Sequence, residues 1–501
     1  FSMIRPVVGN GVGRSRHNDA FTSPPKDYRS AQVMSSGMSQ TTVTSESLVK
    51  DSLKSIANID QGLQGGNAFL EVNPDAREQA RARDLERTNG TVRGFLHGVP
   101  IALKDVFETS GKMQTSAGSR ALVGSPAQKN AKVVDNLLNA GAVIVGKTNM
   151  SELSNFRSDI PVDGWSSRGG QTLNPHRLGG QVAGSSSGSA VAVAQGHVPL
   201  ALGVETNGSI ISPAAFNGVF GLKTTVGLVS TEGVMTSSRL DSVGTFTRNV
   251  RDAAEALNAM TQTTVYTAGL KPDALQGKRI GYTPVPELTQ EDAKDPAKRA
   301  DKKHFEDAIQ LLASKGAVMV PIGALDADVS KQTYDQYNDA LLAGVKPRLE
   351  AYLATREGLP VKSLSELIAF NERDRRPGEP DQDLLSFIDS LQVTDEQREA
   401  LWASVLPTFR DTLDTPLNEH KLDAIVSNFH SHNYYGAAAA GYPGISVPSG
   451  MDEEGMPTAL YFCGTGNSEA TLLSLAYGYE QASQAIREPA FEPGVPQSSG
   501  V

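Results

Sequence analysis

Three short apolar runs, at 99–103 (VPIAL), 143–145 (VIV) and 200–204 (LALGV), constrain this chain more than any other feature. Each is bounded by Gly or Pro and is too short for a buried helix, which suits a strand covered on two sides. Between the first two, residues 132–140 set Val133, Val134, Leu137 and Leu138 at helical spacing. The resulting β/α alternation implies an α/β protein whose sheet is covered by helices. Strand-like segments return at 424–427 and 444–447, so the final third is expected to rejoin the sheet.

Charge and cysteine content narrow the functional classes. With 46 Lys+Arg against 56 Asp+Glu, the formal charge is −10. No basic stripe is concentrated enough to make nucleic acid or an anionic membrane the main partner. No run approaches the ~20 apolar residues that a membrane-spanning helix needs, so a soluble protein, cytoplasmic or secreted, is expected. One cysteine, Cys463, excludes an intramolecular disulfide and a thiolate metal cluster. Residues 1–45 are poor in aliphatics and carry only Asp19 and Asp27 as acids before Glu46, so they read as a disordered arm without a secretory signal. Residues 46–490 form the body, and 491–501 a flexible tail. The charged stretches at 284–306 and 356–383 are expected to flank peripheral helices. Oligomeric state is not legible.

Two motifs invite a function that their context refuses. Gly141 to Thr148 (GAVIVGKT) satisfies the phosphate-loop pattern, yet its middle residues are themselves the apolar strand and a helix precedes them. Gly184 to Gly188 (GSSSG) satisfies the nucleophile-elbow pattern with Ser186 central, and Asp423 and His430 or His432 follow in the required order. An elbow needs an apolar strand immediately before it. Residues 177–183 (RLGGQVA) read as a loop instead, and the serines suit capping of the helix that follows.

A third set is distributed along the chain: 98–105 (GVPIALKD), 184–190 (GSSSGSA) and 205–210 (ETNGSI). At these spacings the set resembles the amidase signature family, and the resemblance extends over roughly 46–490, including 217–223 (NGVFGLK) and 439–448 (AAGYPGISVP). Within the family the chain looks similar to the peptide amidase branch through 155–157 (NFR), 165–171 (WSSRGGQ), 367–371 (LIAFN) and 477–481 (YGYEQ). The resemblance implies one large domain with a central mixed β-sheet covered by helices on both faces. It implies Lys104, Ser185 on a cis peptide bond, and Ser209 as nucleophile, with Ser186 and Ser187 in support. The backbone N–H groups of Thr206, Asn207, Gly208 and Ser209 would receive the oxyanion. No metal or other cofactor is implied. A lysine acting as base at neutral pH must be depressed from about 10.4 by burial, and the apolar run before Lys104 fits that demand.

Departures from the family pattern bear on the substrate. Asn207 stands where the peptide amidase branch has Asp, removing a charge without removing a backbone donor. Ile211 stands where much of the family has Arg and matches the branch. The segment 425–437 is shorter than in the branch, so His430, His432, Tyr434 and Tyr435 are candidates to line the acyl pocket. The implied partner is a small-molecule or peptide amide, and the implied reaction is hydrolysis of a linear carboxamide to acid and ammonia. Alternatives are a biosynthetic acyl transfer or esterase reaction through the same acyl-enzyme, and an esterase of the α/β-hydrolase kind using Ser186. Substitution of His430 or His432 should abolish only the last; Lys104→Ala should abolish the others.

Overall fold

The computed structural model describes residues 28–62, 65–160 and 162–489. Among them, thirteen strands are β1 (Phe69–Val72), β2 (Pro100–Lys104), β3 (Val143–Thr148), β4 (Trp165–Ser166), β5 (Gly170–Gln171), β6 (Leu200–Glu205), β7 (Phe220–Lys223), β8 (Ser242–Thr247), β9 (Arg279–Tyr282), β10 (Val318–Pro321), β11 (Ala424–Asn428), β12 (Gly444–Met451) and β13 (Pro457–Cys463). Eleven form one sheet in the order β1-β3-β2-β6-β8-β7-β12-β13-β11-β9-β10, while β4 and β5 pair separately. The sheet is mixed: β2 runs parallel to β3 and β6, whereas β6–β8 and β12–β13 are antiparallel. The three apolar runs thus become adjacent interior strands, second to fourth from one edge.

Alternation along those strands shows why helices cover two faces. Successive side chains of a strand point to opposite sides. Ile101 and Leu103 join one core with Leu200 and Leu202, sealed by the helices Lys132–Asn139, Val250–Thr261 and Glu469–Ser483. Ala102 and Ala201 face the opposite core, filled by Ala190–Ala194 of the helix Ser187–Ala194. Lys104 shares the parity of Ala102, which directs its side chain toward that serine-rich helix. Beyond it, on the C-terminal part of the sheet, Ile425, Tyr461 and Cys463 pack with Tyr337, Trp402 and Phe409 from the long helices Lys331–Ala354 and Asp395–Glu419.

The expectation of disorder up to residue 45 does not hold for its second half. Ala31–Ser39 is a helix whose Ala31, Met34 and Met38 are buried, and the Asp252 carboxylate accepts from the Ala31 and Gln32 N–H groups at 2.7 and 3.1 Å. Averaging over forty-five residues hid this apolar stripe at i, i+3 and i+7. Residues 1–27 and 490–501, the rest of the expected arm and the tail, lie outside the described residues. Met38→Ala is expected to cost about 2–5 kcal/mol, read as a lower urea midpoint, because it opens a cavity in the main core.

Candidate active site

Lys104 ends β2 fully buried. Its Nζ lies 2.7 Å from Ser185 Oγ, 3.0 Å from Ser186 Oγ and 3.2 Å from the Val204 carbonyl. Burial pushes the amine down from 10.5 to about 7, with the carboxylates of Asp241 and Glu205 opposing a further fall. These contacts dictate how a neutral amine, with two N–H bonds and one lone pair, must be oriented. The Val204 carbonyl can only accept, and takes one N–H. The Ser186 hydroxyl donates to the same carbonyl at 3.1 Å, so its oxygen takes the second. In the neutral amine this leaves the lone pair on the side of Ser185 Oγ; in the protonated amine the third N–H donates there.

The Ser185 loop is tied down on every side. The Gly184–Ser185 peptide bond is cis, and the Ser185 carbonyl accepts from the Ser151 N–H at 3.1 Å. Ser187 Oγ donates to the Ala183 carbonyl at 2.5 Å. Ser189 Oγ reaches the Leu202 carbonyl at 2.8 Å and Thr148 Oγ1 at 2.7 Å, anchoring the following helix to β6 and β3. A β-carbon on Gly184 would collide with Ser151 Oγ, so the close approach here requires glycine.

Ser209 sits on the turn between β6 and the helix Ile211–Asn217. The buried Glu205 carboxylate accepts from the N–H groups of Ile210 and Ile211, each at 3.0 Å, and thereby fixes the helix entry. Thr206 Oγ1 donates to Asp241 at 2.5 Å. Asn207 Nδ2 donates to the Tyr337 hydroxyl at 2.8 Å and to the Tyr435 carbonyl at 3.2 Å. Gly208 adopts φ +88°, and a side chain there would meet the Tyr434 ring at 3.1 Å. The Ser209 carbonyl accepts from the Ser186 N–H at 3.2 Å, joining the two serine loops. Among the described residues, the N–H groups of Thr206, Asn207, Gly208 and Ser209 donate no hydrogen bond, and the Ser209 hydroxyl makes none. The turn therefore offers a row of free donors beside a free hydroxyl, which suits an oxygen developing negative charge.

The residues singled out around 430 separate. Tyr434 stacks on Phe429 and lies against Gly208. The Tyr435 ring packs against Tyr337 behind Asn207. His432 reaches the turn only through the Tyr434 hydroxyl, 3.1 Å away. His430 does not join the cleft around Ser209. Its ring lies 3.2 Å from Asp301; burial alone would lower the imidazole, and this carboxylate raises it overall. Asp423 accepts from the Arg279 N–H at 2.9 Å, so the elbow arrangement around Ser186 is not assembled. The phosphate-loop lysine, Lys147, is buried against the carbonyls of Phe107 and Gln114 at 2.9 and 2.7 Å.

Three features escaped the sequence reading. Asp241 links Thr206 to the Ser237 N–H and is one of the charges acting on Lys104. Tyr337, on a helix distant in sequence, holds Asn207. An apolar recess opens past the end of β2 between Val106, Leu153, Phe156, Met235, Val345 and Leu349, with Ser237 on its rim. None follows from local spacing, since each is brought in by chain pairing across 30 residues or more.

The profile of the family described as Amidase matches residues 47–378. A probable amidase of Arabidopsis thaliana is 36% identical over 476 residues, covering 90% of this chain and 89% of the relative. A putative amidase of Schizosaccharomyces pombe is 32% identical over 477 residues, covering 85% and 80%. The native peptide amidase of Stenotrophomonas maltophilia superposes with a TM-score of 0.85 at 38% identity, covering 93% of this chain and 99% of that one. By fold, sequence and extent of match, this chain belongs to the amidase signature family and is an amidase hydrolase.

Proposed function

We propose that the enzyme hydrolyses a linear carboxamide, such as the C-terminal amide of a peptide, to acid and ammonia through an acyl-enzyme on Ser209. The observation that carries this reading is the 2.7 Å pairing of Lys104 with Ser185 next to a turn whose N–H groups are unclaimed. The similarity to a peptide amidase supports a peptide carboxamide as substrate. In the forward step, Lys104 takes the Ser185 proton while Ser185 takes that of Ser209, whose oxygen bonds to the amide carbon. The carbonyl oxygen becomes an oxyanion against the N–H groups of 206–209. Ser185 then returns a proton to the nitrogen, the C–N bond breaks and ammonia leaves. Water attacks the Ser209 ester by the reverse relay and releases the acid. No step calls for a cofactor.

Because Asp241 raises the Lys104 pKa from across the site, its removal has a signed consequence. Asp241→Asn lowers that pKa, so the neutral amine survives to lower pH. The acid limb of the kcat/KM profile should move downward from its wild-type position near pH 7.

The deciding experiment measures ammonia from a panel of peptide and aryl carboxamides, with mass detection of the acyl product. Stoichiometric ammonia and free acid are expected. Acyl product appearing only on an added amine or alcohol would overturn hydrolysis in favour of acyl transfer. Loss of activity in His430→Ala with retention in Lys104→Ala would overturn the relay itself.

A further inference from the structure

The geometry points to Asp163 as a specificity-determining residue that selects carboxamides bearing an ammonium group on the acyl side. The inference rests on the proposed function and deepens it by naming a substrate class. Asp163 stands beside the Ser185 loop: a β-carbon on Gly184, the residue joined to Ser185, would lie 3.3 Å from its Oδ1. Tyr434 lies against Gly208 beside Ser209, and Asp163 is near enough to be among the charges that, after burial, push the Tyr434 hydroxyl up.

This carboxylate has fewer partners than its acidic neighbours. Glu152 pairs with Arg157, and Asp374 and Glu379 with Arg120. Glu205 is engaged by two backbone N–H groups, and Asp241 by Thr206 and Ser237. Asp163 has one side-chain partner, the neutral Asn155 Nδ2 at 2.9 Å on Oδ1, and among the described residues no Lys, Arg or His pairs with it. A half-buried anion beside the Ser185 loop whose Oδ2 has no partner among the described residues favours a ligand that brings N–H donors and positive charge, and it penalises a neutral group that would merely desolvate it.

The backbone around it is built to hold that position. Leu153, Ser154 and Asn155 are three successive non-glycine residues with left-handed φ of 50°, 57° and 71°. Such conformations cost free energy and persist where the surroundings impose them, often at ligand sites. This bend delivers Asn155 to Asp163, while Gln171 Nε2 donates to the Asp163 carbonyl at 2.7 Å. The same bend places Leu153, Ser154 and Phe156 along the apolar recess.

The test compares isosteric pairs in which an ammonium replaces a methyl: 3-aminopropanamide against butanamide, and 5-aminopentanamide against hexanamide, at pH 7. Wild type should favour the cationic member in kcat/KM by about tenfold or more for at least one chain length, equivalent to about 1.4 kcal/mol. The preference should shrink as salt is raised, since a charge contact is screened and a steric one is not. Asp163→Asn, whose amide oxygen can still accept from Asn155, should abolish the preference, and Asp163→Glu should retain part of it. Equal rates for the two members in wild type, or a ratio unchanged in Asp163→Asn, would overturn the assignment while leaving the hydrolase reading intact. Silence toward every amide, with Ser209 also unlabelled by a fluorophosphonate, would overturn the hydrolase reading and this inference together.

Discussion

Ser209→Ala yields a folded protein whose ammonia release falls by roughly 10⁴-fold or more, the scale on which removal of a serine nucleophile acts in hydrolases. Its interest lies in the contrast between activity and stability. The hydroxyl is partly exposed and makes no hydrogen bond among the described residues, so its deletion leaves no buried group unpaired. The change in unfolding free energy should stay within about 0.5 kcal/mol. Ser187→Ala makes the complementary control: that hydroxyl is buried and bound to the Ala183 carbonyl, so its loss should cost about 1–3 kcal/mol in stability. A Ser209→Ala enzyme that keeps more than a tenth of wild-type activity would exclude an acyl-enzyme on this residue.

Much of the site was legible because its chemistry is concentrated in three contiguous motifs. Strand ends alone would not have found it. Lys104, Lys147 and Lys223 all lie at or next to the ends of apolar strands, are all fully buried and are all depressed by burial, to about 7, 8 and 8. What separates them is the company of their Nζ atoms: Lys147 meets two backbone carbonyls and the Thr115 hydroxyl and Lys223 a backbone carbonyl, whereas Lys104 meets two serine hydroxyls from one loop and a single carbonyl. Only the serine motifs at 184–190 and 205–210 carry that distinction in the sequence. The fold was readable to a similar depth, since the apolar runs near β2, β3 and β6 are interior strands buried along their whole length. The edge strand β10 was not, because its Val318 and Pro321 are exposed and carry no buried-strand pattern.

The substrate wall was the least legible part. Residues near 430 lie in a polar loop where spacing carries no orientation, and one αL residue, His432 at φ 59°, separates the turn that aims His430 at Asp301 from the helix that aims Tyr434 at Gly208. Proximity in sequence grouped four residues that the chain distributes over different neighbours. Asp163, by contrast, gave no local signal: its proposed role rests on the Asn155 contact and on the lack of a paired cation among the described residues, which are properties of the packed structure.

Lys104→Met should lower kcat/KM by roughly 10²- to 10⁴-fold, the range in which a positioned general base acts. The isolated loss would not by itself identify a base, because a buried side chain that holds Ser185 and Ser186 could act by position alone. The pH profile separates the two. In wild type the amine, near 7, is progressively protonated below neutrality and has no lone pair to offer, so kcat/KM should fall tenfold per unit on the acid side. Lys104→Met removes the group that titrates, and its residual rate should lose that limb. Methionine is unbranched and close in volume to lysine, so it fills the same space; the hydroxyls of Ser185 and Ser186 lose one partner, of which Ser186 keeps the Val204 carbonyl. A variant of unchanged melting temperature with a flat profile around pH 7 identifies Lys104 as the base. An acid limb that persists unaltered in the residual activity would assign the titration to another group and reduce Lys104 to a scaffold for the two serines.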